Sequence, residues 1–372
     1  MNARETAPSA KTRRRALLMQ LTKVVIAIVV AIGLVLAARS AAENWSQQHQ
    51  RIETEIGTLD RQISLESDPD AQHNLRQQRS VLESQLPEWK NIRIDLLLMA
   101  ALIYAIGLLP PAAVLRTNCG LFGPRPRWST SIASQLLGHV GKYVPGKAMV
   151  VVLRVGALRR DKIKPLAGTV SVFAETFMMM AVGAAIAGIV TLKIPVPSWI
   201  NMTALAMAIA ATAPTLPPIM KIVIARVGSP PPSSDRSPDQ LDTAKGQMGW
   251  SWFASVWTFS IASWLLIGAS FAITVAAMPG SQPLPNDSTL YPLALSAIGL
   301  AMALGFASLL PGGAGVRELV LITILGISID PTRALLAAIA ARMIFIIVEG
   351  LLAIVSWIWL RKDAHNSYDG KH

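Results

Sequence analysis

Long apolar runs alternate with short polar stretches along almost the whole chain. They cover residues 17–39, 94–115, 129–153, 165–191, 199–224, 250–278, 291–327 and 332–360. A helix needs about 20 apolar residues to cross a bilayer, and a backbone in hydrocarbon must satisfy its own hydrogen bonds. None of the runs alternates apolar with polar residues as a transmembrane β-strand does. The pattern predicts an all-α polytopic membrane protein. Between the first two runs lies a polar insert, 40–93, in which Ile52, Ile56, Leu59 and Ile63, and later Leu75, Leu82 and Leu86, recur at helical spacing around Asp68-Pro69-Asp70. That spacing predicts a helical hairpin outside the bilayer, with a long disordered loop as the competing reading. Residues 229–249 are a linker rich in Pro and Ser.

The positions of Lys and Arg orient the runs. Segments 1–16, 116–128, 154–164, 221–249 and 361–372 hold 20 of them, whereas 41–92, 192–198 and 279–290 hold 6. By the positive-inside rule the first group, with both termini, is cytoplasmic. Runs 129–153 and 291–327 then begin and end on the same side. Each carries a break: Gly141, Pro145 and Gly146 in the first, and Pro311, Gly312, Gly313 and Gly315 in the second. Both are predicted to be re-entrant helical hairpins, with segment 291–310, at 20 residues, crossing alone as the competing reading of the second. About six full spans remain. The order helix, hairpin, helix over 94–191, a connecting span, and helix, hairpin, helix over 250–360 predicts two units of opposite orientation. Inverted repeats with broken segments at matching places point to a transporter-type site. The expected organisation is thus a basic N-terminus with a first span (1–39), the insert (40–93), a membrane domain (94–360) and a tail (361–372).

Composition narrows the function. Hydrophobic residues make up 52% of the 372 and charged residues 15%, too few charges to cover a soluble protein of this length. The net charge of +12 sits at the ends of apolar runs rather than in one patch, which favours anionic membrane lipids over nucleic acid as partners. The single Cys119 offers no disulfide or zinc pattern. No metal or nucleophile motif occurs, so neither an enzyme nor a cofactor is expected. Residues 141–147 fit the spacing of a nucleotide-binding loop, but Ala148 stands where Ser or Thr is required and no strand precedes it.

Charges inside apolar runs are costly and mark candidate sites. Lys142 and Lys147 flank the first break, and Arg154 follows one to two turns later. A half-helix starting near Lys147 would offer free amides and its positive end to a phosphate; the alternative is that these lysines snorkel to the interface. Arg317 and Glu318 follow the second break, where Glu318 also suits a helix start. Glu175 and Glu349 lie within apolar spans. Arg342, seven residues before Glu349, shares its helical face and could pair with it. The expected phosphate ligands are Lys142, Lys147, Arg154 and Arg317; the expected polar path is Glu175, Glu318, Arg342 and Glu349.

The run GKYVPGK (141–147) with Arg154, the Glu175 span, PGGAGVRE (311–318) and Arg342 before Gly350 resembles the transmembrane region of lysylphosphatidylglycerol synthases, a flippase-like family. The resemblance covers roughly residues 20–360 and implies a membrane domain that binds or translocates lipids. Bifunctional members also carry a cytoplasmic domain that makes aminoacyl-phosphatidylglycerol. Only about a dozen residues follow the last span here, so aminoacylation by this chain alone is not expected. Two features depart from the family's pattern. Thr176 follows Glu175 where Arg is usual, with Met179 and Met180 where an Asp is usual, and the 40–93 insert is longer than the usual first loop. The function expected is translocation or binding of an anionic or modified lipid in the cell membrane. The alternative is an accessory subunit that recruits a lipid- or glycan-modifying enzyme through 40–93.

The topology is directly testable. In a Cys119→Ser background, Asp70→Cys and Pro285→Cys should react with an impermeant thiol reagent on intact cells. Asp235→Cys and Asn366→Cys should react only after lysis. Labelling of Asn366→Cys on intact cells would refute the predicted number of crossings.

Overall fold

A computed structural model describes residues 49–86, 89–143, 148–194, 197–227, 248–280, 282–308, 313 and 315–369, with isolated positions before residue 49. The predicted span 17–39, the linker 229–247, and Lys147, Pro145, Gly146, Pro311 and Gly312 lie outside the described residues. Among those described there are helices and turns but no strand. Among the described residues, five helical segments are long and apolar enough to cross a membrane: Ile94–Phe122, Pro165–Thr191, Trp250–Ala277, Asp287–Ala307 and Pro331–Lys362.

The insert is helical. Helix α1 covers residues 49–65 and α2 runs Pro69–Gln85. Asp68 is the cap of α2, accepting from the Asp70 amide at 3.1 Å, with Pro69 in the first turn, where its missing N–H costs nothing. Arg79 donates to Asp60 across the pair at 2.8 Å. Ile52 and Leu59 are buried, so the hairpin closes much of its own apolar stripe.

The membrane domain continues with α3 (Ile94–Gly107), α4 (Pro110–Phe122), α5 (Trp128–Gly141), α6 (Ala148–Leu158), α7 (Pro165–Thr191), α8 (Ser198–Thr212) and α9 (Pro217–Val227). After the linker come α10 (Trp250–Ala277), α11 (Asp287–Ala307), α12 (Val316–Leu325) and α13 (Pro331–Asp369). Prolines open α4, α7 and α13, since proline fits a first turn and breaks an interior.

The first hairpin consists of two short limbs packed on each other. Its limbs, α5 and α6, have 14 and 11 residues, about 21 and 17 Å long at 1.5 Å per residue, and neither crosses the roughly 30 Å of hydrocarbon. Gly141 lets them meet: a Cβ there would lie 2.6 Å from the Val150 nitrogen. The second hairpin is lopsided. Helix α11 continues through Pro292 over 21 residues, about 31 Å, long and apolar enough to cross a membrane alone rather than turn back half-way, whereas α12 has only 10 residues. The return starts at Gly313 and Gly315, whose φ angles of 64° and 82° suit glycine.

Two predicted boundaries change. Segment 199–224 is not one helix: α8 ends in a 3₁₀ turn, Ala213–Thr215, before α9 begins at Pro217. Pro214, Pro217 and Pro218 supply no amide to continue the ladder. The second span runs to Phe122 rather than stopping at 115, in two helices joined at Pro110-Pro111.

The two units are antiparallel. Along α3 and α10, the Arg93 amide donates to the Ala277 carbonyl, Ser270 donates to the Ala100 carbonyl and Ser263 to the Gly107 carbonyl, so one sequence rises as the other falls. The other pairings exchange between units. Helix α7 packs on α11, and α13 packs on α5, so each closing helix lies against the first limb of the other unit's hairpin. Close approach is made by small residues, as in other helix pairs in lipid. A Cβ on Gly183 would lie 2.3 Å from the Trp264 ring, whose indole N–H donates to the Met179 carbonyl at 2.8 Å. A Cβ on Gly188 would meet Ala208 at 2.6 Å.

Gly141→Val should separate the limbs of the first hairpin, because its added carbons meet backbone that cannot swing away. A cost of about 1–3 kcal/mol or more is expected for such overpacking. It should appear as a lowered melting temperature in detergent, whereas Gly57→Ala, with open space around it, should be neutral.

Candidate functional site

Helix α13 carries Glu349 into the contact with the first hairpin, and its carboxylate is fully buried. Three donors converge on it. Lys142, at the C-terminal end of α5, forms an ion pair with Oε1; Tyr104 of α3 donates to Oε1 at 2.5 Å, and Tyr143 donates to Oε2 at 2.8 Å. His139 Nδ1 lies 3.8 Å from Oε1, and its Nε2 is buried without a partner. Phe345, one helical turn before Glu349, stacks on Tyr104 with ring centroids 4.1 Å apart, which fixes that hydroxyl. His139 and Lys142 face Glu349 together because they are three residues apart on or at the end of one helix.

The second hairpin contributes beside this cluster. Glu318, in the first turn of α12, accepts from the Gly315 amide at 2.7 Å through Oε2, while its Oε1 lies 3.7 Å from Arg342 Nη1. It therefore both starts the helix and meets α13. Arg342 also sits 5.6 Å above the Tyr143 ring. The stem of Arg317 fills the space a side chain would need at Gly305 and Gly313, at 2.7 and 2.8 Å from the respective Cβ positions. Its Nε is buried with no hydrogen-bond partner, and no carboxylate among the described residues pairs with it.

A second charged group lies apart from this one. Arg154 of α6 crosses Gly138 of α5, where a Cβ would lie 2.5 Å from its Cδ, and reaches Glu175 of α7 at 2.7 Å. Gln135 accepts from the same guanidinium and donates to Glu175 at 3.4 Å. Arg154 and Glu175 are 3% and 2% exposed.

A family model described as the lysylphosphatidylglycerol synthase TM region matches residues 82–353. The chain belongs to this family. Membership ties it to membrane-lipid function. No curated protein matches the chain.

Within this family member, the structure brings together Lys142, Glu349, Glu318, Arg342 and Arg317 from opposite units. It removes Arg154 and Glu175 from that group: expected as a phosphate ligand and part of the polar path, they neutralise each other in a closed site. The expected pairing of Arg342 with Glu349 is replaced. Glu349 is taken by Lys142 and two tyrosines from the other unit, and Glu318 meets Arg342. Lys147 lies outside the described residues, next to Ala148 where α6 begins. Sequence reasoning missed Tyr104, Tyr143 and Gln135. Tyr143 sits inside the GKYVPGK run and Gln135 is a polar residue in an apolar run, so both left a signal. Tyr104 left none.

The Arg154 and Glu175 pair should behave as a structural ion pair. Glu175→Ala strands a buried guanidinium and should cost about 3–5 kcal/mol, whereas the double replacement Arg154→Met with Glu175→Leu should recover most of it. Thermal unfolding in detergent measures both.

Proposed function

We propose that this protein binds an anionic lipid headgroup between its two units and carries it between leaflets of the cell membrane, with both termini on the cytoplasmic side. The observation that carries this reading is the charge balance of the central cluster. Lys142, Arg317 and Arg342 supply three cations against the two carboxylates Glu318 and Glu349, and Arg317 is the one without a carboxylate partner among the described residues. An excess positive charge at membrane depth is costly unless a cavity or an anion compensates it, and a guanidinium suits a phosphate because its fork binds two oxygens at once.

Comparison of the two units supports the assignment. Each hairpin lays an arginine stem over a glycine of its first limb: Arg154 over Gly138, and Arg317 over Gly305. In the first unit the closing helix answers with a carboxylate, Glu175. In the second it presents a cation, Arg342, and the carboxylate Glu318 comes from the hairpin itself. The reversal leaves one arginine paired with a carboxylate and its counterpart without one among the described residues.

Recruitment of a partner enzyme through 40–93 is the second reading. It is favoured by the insert's hairpin, which closes much of its own apolar stripe and leaves a charged outer surface.

Purified protein in liposomes should move a fluorescent phosphatidylglycerol between leaflets. Arg317→Gln should reduce the rate tenfold or more while leaving the melting temperature nearly unchanged, since it empties no ion pair; Arg154→Gln should instead act through stability. Unchanged transport by Arg317→Gln would reject the headgroup site, and no transport by the unaltered protein would favour the recruiting role.

A further inference from the structure

The bond between Lys142 and Glu349 is an ionic contact that joins the first hairpin to the closing helix of the other unit. Its two ends differ in access. Lys142 is 22% exposed along its side chain, whereas Glu349 is fully enclosed. Lys142 is thus the end of the pair with access to an incoming anion. If it leaves, Glu349 keeps Tyr104 and Tyr143 as hydrogen-bond donors but loses its cation. A carboxylate closed off from water is more stable neutral than ionised once the cation paired with it has gone.

We infer that an anionic phosphodiester displaces Glu349 from Lys142 and that one proton enters with it, so that headgroup binding and protonation of Glu349 are a single event. The balance is simple. The ion pair between Lys142 and Glu349 breaks, an ion pair between Lys142 and the phosphodiester oxygen forms, and Glu349 Oε1 takes one proton from water.

The surroundings of Glu349 fit this exchange. Facing it are Tyr104 from α3, His139 and Lys142 from α5, Tyr143 beyond it, Arg317 from α12 and Arg342 on its own helix. Helix α10 carries no titratable side chain. His139 is the neighbour placed to pass the proton, with Nδ1 toward the carboxylate and Nε2 without a partner. Both tyrosines can turn their hydroxyls to suit a protonated or an ionised carboxyl.

This inference rests on the anion reading above, and one experiment separates the two. The full chain in detergent is titrated calorimetrically with dihexanoylphosphatidylglycerol, and separately with glycerophosphoglycerol, in buffers of different ionisation enthalpy. Uptake of about one proton per anion bound is expected, and by reciprocity the affinity should rise about tenfold per unit fall in pH. Uptake with both ligands assigns the effect to the headgroup diester, and uptake with the short-chain lipid alone assigns it to the intact lipid; either result supports the inference. Glu349→Gln should bind without proton uptake and without pH dependence. An infrared difference spectrum of the unaltered protein, recorded on adding ligand, should show a new protonated-carboxyl stretch, and this does not depend on how the variant folds. Binding without proton uptake, or uptake that persists in Glu349→Gln, would overturn the inference and leave the headgroup site standing. Absence of binding by either ligand would remove the headgroup site itself.

Discussion

A carboxylate with no access to water must be answered by donors from the protein, and Glu349 draws them from three places in the chain: α3, the end of α5 and the residue beyond it. This need fixes how deep the first hairpin sits and how it is turned, because only one placement brings Lys142, Tyr143 and His139 to the same oxygen pair. Burying a paired charge is weak evidence of stability in itself. Its structural effect is specificity: α13 is apolar from Met343 to Val355 apart from Glu349, and sliding it by one turn would leave both partners unpaired.

The two units share a plan and differ in chemistry. The antiparallel contact of α3 with α10, and the exchanged contacts of α7 with α11 and α13 with α5, are what two inverted copies produce. Ionic contacts then set the copies apart. The Arg154, Glu175 and Gln135 group ties the first hairpin to the closing helix of its own unit. Its counterpart around Arg317 is left incomplete. A further clasp belongs to the second unit: Arg333 donates to the carbonyls of Met278, Gln282 and Gly280 at 3.1, 2.8 and 3.2 Å, holding the end of α10 against the start of α13.

Much of this was legible in the sequence. Long apolar runs marked the helical class. Gly141, Gly313 and Gly315 stand where the described limbs of the two hairpins meet, the other Gly and Pro residues of the breaks lying outside the described residues. Several of the charged residues inside apolar runs lie together in the structure. Two kinds of information were not in the pattern. Proline at 214, 217 and 218 divides a run that hydropathy treats as continuous, since hydropathy ignores missing amides. Partner choice was the other: Arg342 and Glu349 share a helical face, but contacts to distant helices outweigh that proximity. No spacing rule links Tyr104 to Glu349, which lie 245 residues apart.

Distance along the chain also has a cost during synthesis. Lys142 precedes Glu349 by 207 residues, so at about 5–20 residues per second the ribosome supplies its partner some 10–40 s later. Throughout that interval the first hairpin holds a cation at its tip, and the helix that will neutralise it does not yet exist. Its own pair, Arg154 with Glu175, closes after only 21 residues and can hold the hairpin in shape meanwhile. The early pair thus acts as a scaffold during assembly, and the late one records that the protein has been completed.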